Sequence, residues 1–407
     1  MAEKSMKPRI RFKGYTDAWE QRKLGDIADR VVRKNSNLES TLPLTISAQY
    51  GLVDQVEYFN NRVASRDVSG YYLVKNGEFA YNKSYSDGYP YGAIKRLDLY
   101  KMGVLSTLYI VFAIKSNEID SEYLVAYYET NKWHRKVAEC AAEGARNHGL
   151  LNISATDFFE TKLKYPFEIG EQSKIGTLFK QLDNLITLHQ RKHDKIVNIK
   201  KALLEKMFPS DAETTPKIRF KGFTDAWEQR KAETLFISYA EKGYPELPVL
   251  SATQDKGMVY RDDTRKNIFH DKSNEIGYKR VQPGQFVIHL RSFQGGFAHS
   301  AILGITSPAY TIFGVKEGEK QYDMYWKYVF SSPEFVKRLE TVTYGIRDGR
   351  NISYDEFLTM KFLVPKYEEQ VEIADSLIKI DNLITLHQRQ LEKLKNIKSA
   401  LLEKMFV

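Results

Sequence analysis

The chain is written twice. Residues 8–23 read PRIRFKGYTDAWEQRK and residues 216–231 read PKIRFKGFTDAWEQRK, differing only at Arg9/Lys217 and Tyr15/Phe223. Residues 183–208 (DNLITLHQRKHDKIVNIKKALLEKMF) and 381–406 (DNLITLHQRQLEKLKNIKSALLEKMF) agree at 20 of 26 positions. A repeat of this length requires two equivalent structural units in one chain. Between the matching blocks lie 24–172 and 232–370, similar in length and little alike. Each half reads as constant arm, variable domain, constant helix. A polar linker bounded by Pro209 and Pro216 joins the halves.

The variable stretches still share an outline. Ser84 to Tyr89 followed by Ala93-Ile94 matches Ser292 to Phe297 followed by Ala301-Ile302. Gly144-Ala-Arg146-Asn147 matches Gly345-Ile-Arg347-Asp348, and Asn152-Ile-Ser154 matches Asn351-Ile-Ser353. Phe158 and Phe357, Pro166 and Pro365, and Glu-Gln at 171–172 and 369–370 then follow in the same order. One fold has been duplicated and its surface allowed to diverge.

Short β-branched and aromatic runs at 109–114 and 310–315 predict buried strands, and amphipathic stretches at 121–139 and 323–339 predict helices. The variable domains are therefore mixed α and β. From about 172 and 370 the chain is helical by pattern. Ile175, Leu178, Leu182, Leu185, His189, Lys192, Ile196, Ile199 and Leu203 follow a 3-4 spacing, and 373–401 repeats it at an offset of 198. The expected fold is α+β, with two duplicated mixed α/β domains separated by two long antiparallel coiled-coil helices in pseudo-twofold symmetry. The expected segments are an arm (1–23), a first variable domain (24–171), a central helix (172–208), a linker and second arm (209–231), a second variable domain (232–369) and a final helix (370–407).

Catalytic motifs are missing. There is no Asn/Asp-Pro-Pro-aromatic motif of an amino-methyltransferase and no Gly-x-x-x-x-Gly-Lys-Ser/Thr phosphate loop. Asp157, Glu160 and Lys162 have nuclease-like residue types but no counterpart in the second half. His189 and His193 stand four apart, a spacing a helical metal pair would use, yet Leu391 replaces the second histidine in the repeat and no third ligand is evident. The single cysteine, Cys140, can build neither a zinc cluster nor an internal disulfide, which fits a reducing cytoplasm. No secretory leader and no bilayer-length apolar run is present. The expectation is a non-catalytic, cytoplasmic binding protein without metal or cofactor. Its 61 Lys and Arg against 52 Asp and Glu give a charge of +9, suited to a polyanion.

Three loop groups carry side chains fit to read base edges and phosphates. The first glycine loop offers Asn82, Lys83, Ser84, Tyr85, Tyr89, Tyr91, Lys95 and Arg96, and its counterpart offers His289, Arg291, Ser292, Phe293 and Gln294. The shared Gly-x-Arg loops offer Arg146, Asn147 and His148, and Arg347, Arg350 and Asn351. Gln49 and Tyr50, with Thr253 and Gln254, form the third group. The alternatives are tyrosine-rich turns packed on their own domain for the first group and structural salt bridges for the second.

Twin variable domains, each closing on a proline, Glu-Gln and a long helix, resemble the specificity subunit of Type I restriction-modification systems. Trp19-Glu-Gln-Arg-Lys-Leu-Gly-Asp-Ile27 looks like that family's domain entry, and the second copy departs from it after Lys231 with Ala-Glu-Thr-Leu235. The resemblance implies two target-recognition domains, each reading one half of a split, asymmetric double-stranded DNA site. It implies helices that set the spacer and dock two modification subunits, which bind S-adenosylmethionine and methylate adenine. It also implies a restriction subunit using ATP and Mg. Alternative readings are a protein-interaction scaffold with duplicated domains, or a stand-alone DNA methyltransferase or nuclease with an unrecognised site.

Overall fold

The computed structural model describes residues 7–47, 50–84, 88–115, 118–140, 146–147, 150–151, 153–210, 213–253, 256–264, 272–289, 296–341 and 353–407. The chain divides into two compact units, one of Met1–Gln190 with Arg389–Val407 and one of Arg191–Gln388.

The first unit is organised by an antiparallel sheet in the order Ala28–Arg30, Ile110–Ile114, Phe79–Asn82, Ala93–Arg96. The two-residue period of a strand sends alternate side chains to opposite faces. Phe79, Tyr81 and Phe112 enter an aromatic core with Tyr128, Trp133 and Phe158. Ala80 and Val111 enter a second core with Leu44, Val74 and Leu105. The second unit repeats this plan with Phe236–Tyr239, Thr311–Val315, Phe286–Ile288 and Phe297–His299 in the same order. There Phe286, Ile288 and Phe313 face one core, while Val287, Ala298 and Ile312 face another. The duplication inferred from scattered motifs is a duplication of topology.

Each constant arm ends as a strand that closes its domain. Glu20–Lys23 pairs antiparallel with Lys162–Tyr165, and Glu228–Lys231 pairs in the same way with Lys361–Val364. Trp19 and Trp227 are buried at the entries. The strands expected at 109–114 and 310–315 are present as Ile110–Ile114 and Thr311–Val315. Each expected single helix is broken in two. Ser121–Tyr128 and His134–Cys140 are separated where the Thr130 hydroxyl bonds the Tyr127 carbonyl and Trp133 Nε1 bonds the Tyr128 carbonyl. Asp323–Phe330 and Pro333–Thr341 are separated at Ser331-Ser332, where a proline suits the first position of the new helix.

The long helices run Ile169–Lys206 and Tyr367–Met405, each starting three residues before the expected position. Their sheltered positions correct the expected seam. Ile175, Leu182, His189, Ile196 and Leu203 lie on it, but the alternate positions are Phe179, Ile186, His193 and Lys200, one residue beyond Leu178, Leu185, Lys192 and Ile199. Leu185 and Ile199 are exposed. The second helix has the corrected pattern at the same offset, with Leu391 buried where His193 stands. Charge anchors fix the rotation. In the first unit Lys398 pairs with Asp183, and in the second Lys200 pairs with Asp381, the same two positions of the repeat.

Each unit is completed by a helix terminus. In the first, Phe406 packs on Trp19, Tyr123, Tyr127 and Phe179 at centroid distances of 5.5–6.3 Å. In the second, Phe208 packs on Tyr325 at 5.8 Å within the core that holds Trp227. Going from Phe179 to Asp183 on one helix leads from Phe406 back to Lys398 on the other, so the two segments within the first unit are antiparallel.

Candidate nucleic-acid interface

The first glycine loop tops the hairpin formed by Phe79–Asn82 and Ala93–Arg96, with Asn82 opposite Ala93. Gly92 sits at φ +75°, and a Cβ there would lie 2.0 Å from the Asn82 carbonyl oxygen, so only glycine closes this stem. Tyr81 donates its hydroxyl to the Tyr91 carbonyl at 2.8 Å, and the Tyr91 ring packs on His134 at 5.0 Å. Tyr91 thus braces the loop from below, while Tyr89 is exposed. Asn82 Oδ1 accepts from the Ser84 amide at 3.0 Å, which turns the chain out of the strand.

Lys83 joins two of the candidate loops. Its carbonyl accepts from the Leu151 amide at 3.0 Å and its ammonium donates to the Ile153 carbonyl at 3.4 Å. Arg146–Asn147 and Leu150–Leu151 form a small hairpin, Arg146 opposite Leu151, so the Gly-x-Arg loop is held beside the glycine loop. Burial lowers the Lys83 pKa. The cost of holding an ammonium in that setting falls when an anion or a base acceptor arrives.

Tyr50 is exposed at the tip of the hairpin Leu44–Ser47 and Gly51–Asp54, where its amide donates to Ser47 Oγ at 3.1 Å. Thr253 occupies the matching turn of the second unit and donates its hydroxyl to the Gly257 carbonyl at 2.8 Å. In that unit His289 extends the hairpin of Phe286–Ile288 and Phe297–His299, its amide bonding the Gly296 carbonyl at 3.0 Å and its ring lying 6.3 Å from Tyr310. Gln49, Tyr85, His148, Gln254, Arg291, Ser292, Phe293, Gln294, Arg347, Arg350 and Asn351 lie outside the described residues, as do the side chains of Arg146 and Asn147.

Two of the candidates, Lys95 and Arg96, are engaged by carboxylates of their own domain. Lys95 pairs with Glu129 at 3.5 Å. Arg96 is engaged by Asp98 at 2.6 Å, Glu122 at 3.0 Å and Ser121 at 2.7 Å, and its side chain is 10% exposed. They lie in the strand, below the loop, where the α/β packing supplies carboxylates. The expected match of Ala93-Ile94 with Ala301-Ile302 is also out of place. Phe79 faces Arg96 and Phe286 faces His299, so Ile94 corresponds to Phe297, Lys95 to Ala298 and Arg96 to His299. His299 Nε2 meets Asp323 at 2.7 Å, holding the same helix turn that Arg96 holds in the first unit.

The repeated Glu-Gln is structural. Arg11 grips Glu171 and Arg219 grips Glu369, each by two hydrogen bonds. Gln172 accepts from the Asp120 amide and donates to the Pro166 carbonyl, and Gln370 does the same with Tyr322 and Pro365. Asp157 accepts from the Ser154 hydroxyl at a helix start, a capping role. Among the described residues no group of three His, Cys, Asp or Glu could hold a metal ion, and no helix is long and apolar enough to cross a membrane.

The long helices expose a second apolar stripe. Leu185, Leu188 and Ile199 on one correspond to Leu383, Leu386 and Ile397 on the other, 198 residues on, and all six are exposed. The 3-4 spacing by itself places Leu185 and Ile199 in the seam. The charge anchors Asp183, Lys200, Asp381 and Lys398 were missed there, although their repetition within otherwise apolar blocks was the available signal.

Comparison with known proteins found no matching family model. The chain is 24% identical over 369 residues to the MjaVIII specificity subunit of a Type I restriction enzyme from Methanocaldococcus jannaschii, covering 85% of this chain and 83% of that one. The S subunit of a Type I restriction-modification system from M. genitalium aligns over 99% of both chains with a TM-score of 0.56 and 13% identity, a likeness of fold. The HsdS subunit from Thermoanaerobacter tengcongensis aligns over 95% of this chain and 96% of that one with a TM-score of 0.43 and 15% identity.

Proposed function

We propose that this chain, a homologue of the Type I restriction enzyme specificity subunits, is the non-catalytic DNA-recognition subunit of such a system. Residues 24–171 and 232–369 act as its two target-recognition domains, each reading one half of a bipartite, asymmetric duplex site. The observation that carries this reading is the pair of matched domains whose equivalent hairpins end in unlike loops, around Asn82 to Tyr91 and beyond His289. A shared fold with divergent loops is what reading two different half-sites requires. Asn82, Lys83, Ser84, Tyr89 and Tyr50 are the described candidates in the first domain, and Thr253 and His289 in the second. The loop residues that lie outside the described ones are candidates with them.

The duplicated apolar stripes of the long helices suit two copies of one partner, because two identical subunits require two equivalent surfaces. These partners are the modification subunits, which carry S-adenosylmethionine. A restriction subunit using ATP and Mg completes the larger assembly, and the complex works where its DNA lies, in the cytoplasm.

The test is a band shift with the purified chain and its modification subunits on a randomised duplex library. Selection of one bipartite site is the expected result, and replacing residues 24–171 by another variable domain changes one half of it. Turnover of DNA by the isolated chain would overturn the reading in favour of a stand-alone enzyme.

A further inference from the structure

The two domains are fastened to their helices by different chemistry. In the first unit, two chains of ion pairs start on strand Ala93–Arg96, the strand that leaves the glycine loop. Lys95 pairs with Glu129, Glu129 with Lys398, and Lys398 with Asp183. Arg96 pairs with Glu122, and Glu122 with Lys180 at 2.8 Å. Asp183 and Lys180 are on the first long helix and Lys398 is on the second. Both chains therefore run from the reading hairpin through carboxylates on or next to helix Ser121–Tyr128 to the long helices. A cleft of about 590 Å³, lined by Arg96, Glu122, Gly176, Lys180 and Asp183 among others, lies along them, so apolar packing does not fill this stretch.

The first chain is well sheltered. Lys398 is 15% exposed and lies between two carboxylates, Glu129 and Asp183. Burial pushes the Glu129 carboxyl up, yet Lys95 and Lys398 outweigh it and hold it below its ordinary value. Removing one member strands the others in a sheltered site. Gly176 permits the close approach: a Cβ there would lie 2.5 Å from the Tyr123 amide nitrogen.

The second unit lacks the middle links of both chains, and the place of Arg96 is taken by His299, which meets Asp323 at the start of the matching helix. The Gln172 and Gln370 bonds equate Asp120 with Tyr322, and hence Glu122 with Met324 and Glu129 with Ser331. Lys95 corresponds to Ala298, Lys180 to Ile378 and Gly176 to Ala374. Met324 and Ile378 pack against the hydrophobic core of that unit, and Ala374 is buried in it. Only the Lys200–Asp381 anchor persists, met by the Tyr328 hydroxyl at 2.8 Å.

We propose that Lys95, Arg96, Glu122 and Glu129 are positioning residues that hold the first domain's reading hairpin in register on the long helices, and that in the second domain apolar contacts of Met324 and Ile378 replace the ionic links between hairpin and long helix. Specificity for one half of the DNA site thereby depends on each charge of these chains and, through the more exposed Glu122–Lys180 link, on salt, whereas the other domain, among the described residues, has no such link to its long helix. This rests on the DNA-recognition reading, but the fastening itself can be measured without DNA.

Hydrogen exchange of the full chain at low and high salt is the first experiment. Protection of the hairpin at 79–96 falls on raising salt while that at 286–299 holds; equal change in both, or none in the first, would overturn the proposal. The second experiment uses the assembled complex carrying Lys95→Met, Glu129→Gln or Lys180→Met, with Lys95→Arg as the conservative variant, on libraries of sites. Discrimination falls by about five- to tenfold at bases of one half-site, with Lys95→Arg close to wild type. Relaxation spread over both halves, or in neither, refutes it. So does a uniform loss of affinity with a salt slope lower by about one, the sign of a lost phosphate contact. If the wild-type complex selects no site at all, the recognition reading fails, and the exchange result still decides the fastening.

Discussion

Arg11 and Glu171 are 160 positions apart in the chain, and the guanidinium of one donates to both carboxylate oxygens of the other at 2.6 and 2.8 Å. The Glu171 side chain is 1% exposed. Arg219 and Glu369 reproduce the bidentate pair at 2.7 and 2.8 Å, and each arginine also bonds a carbonyl of its own arm, that of Asp17 or Asp225. The arm is thus pinned across the start of each long helix. Arg11→Ala leaves a buried carboxylate alone and is expected to cost about 3–5 kcal/mol in urea unfolding. Arg11→Ala combined with Glu171→Gln costs less than the single change, and a double-mutant cycle showing simple additivity would deny the coupling.

Phe406 is buried among Trp19, Tyr123, Tyr127 and Phe179. Phe406→Ala removes a large core ring, at an expected cost of about 3–5 kcal/mol. The loss falls on the first unit. Exchange protection drops at 79–82 and 110–114 and is kept at 286–288 and 311–315; a uniform drop would contradict the assignment.

Acid also acts on a contact of the second unit. The hydrogen bond from His299 holds the Asp323 carboxyl below its ordinary range. A depressed carboxyl stabilises the fold at pH above its unfolded value, and the contribution disappears as pH falls through the folded value. Asp323→Asn removes this dependence. Exchange at 297–299, followed down the acid limb, then rises less steeply with falling pH than in wild type; an identical profile would rule the pair out.

If the long helices set the gap between half-sites, matched heptads inserted after Lys195 and Lys393 keep the 3-4 pattern in phase and add about 10 Å to each helix. At about 3.4 Å per base pair the unread gap lengthens by up to about three pairs, with the bases of each half unchanged. A methylome recording an active complex with the original gap would end this idea.

The repeat, the two strands at 110–114 and 311–315, and the long helices were legible because each rests on a local or duplicated pattern. The seam was half legible. A 3-4 spacing is satisfied by Leu178 and Leu185 as well as by Phe179 and Ile186, and contacts distant in sequence, Lys398 with Asp183 and Phe406 with Phe179, select between them. Lys95 and Arg96 read as phosphate ligands because a lysine beside a glycine loop looks the same whether a phosphate or Glu129 waits for it. The Ala-Ile correspondence failed for a related reason: loops of unequal length preserve strand register through Phe79 and Phe286, not through spacing from glycine.

The closure of the first unit by Phe406 also orders events in time. The second unit is one continuous stretch, residues 191–388, and its whole core has been synthesised before residue 389 is added. The first unit, although most of it is made earlier, keeps an open aromatic cavity around Trp19 and Tyr123 until residues 405–406 emerge. Domains made first ordinarily fold first during synthesis. Here the later-made domain can settle before the earlier one, and the interval is the span in which a ribosome-bound chain exposes that cavity.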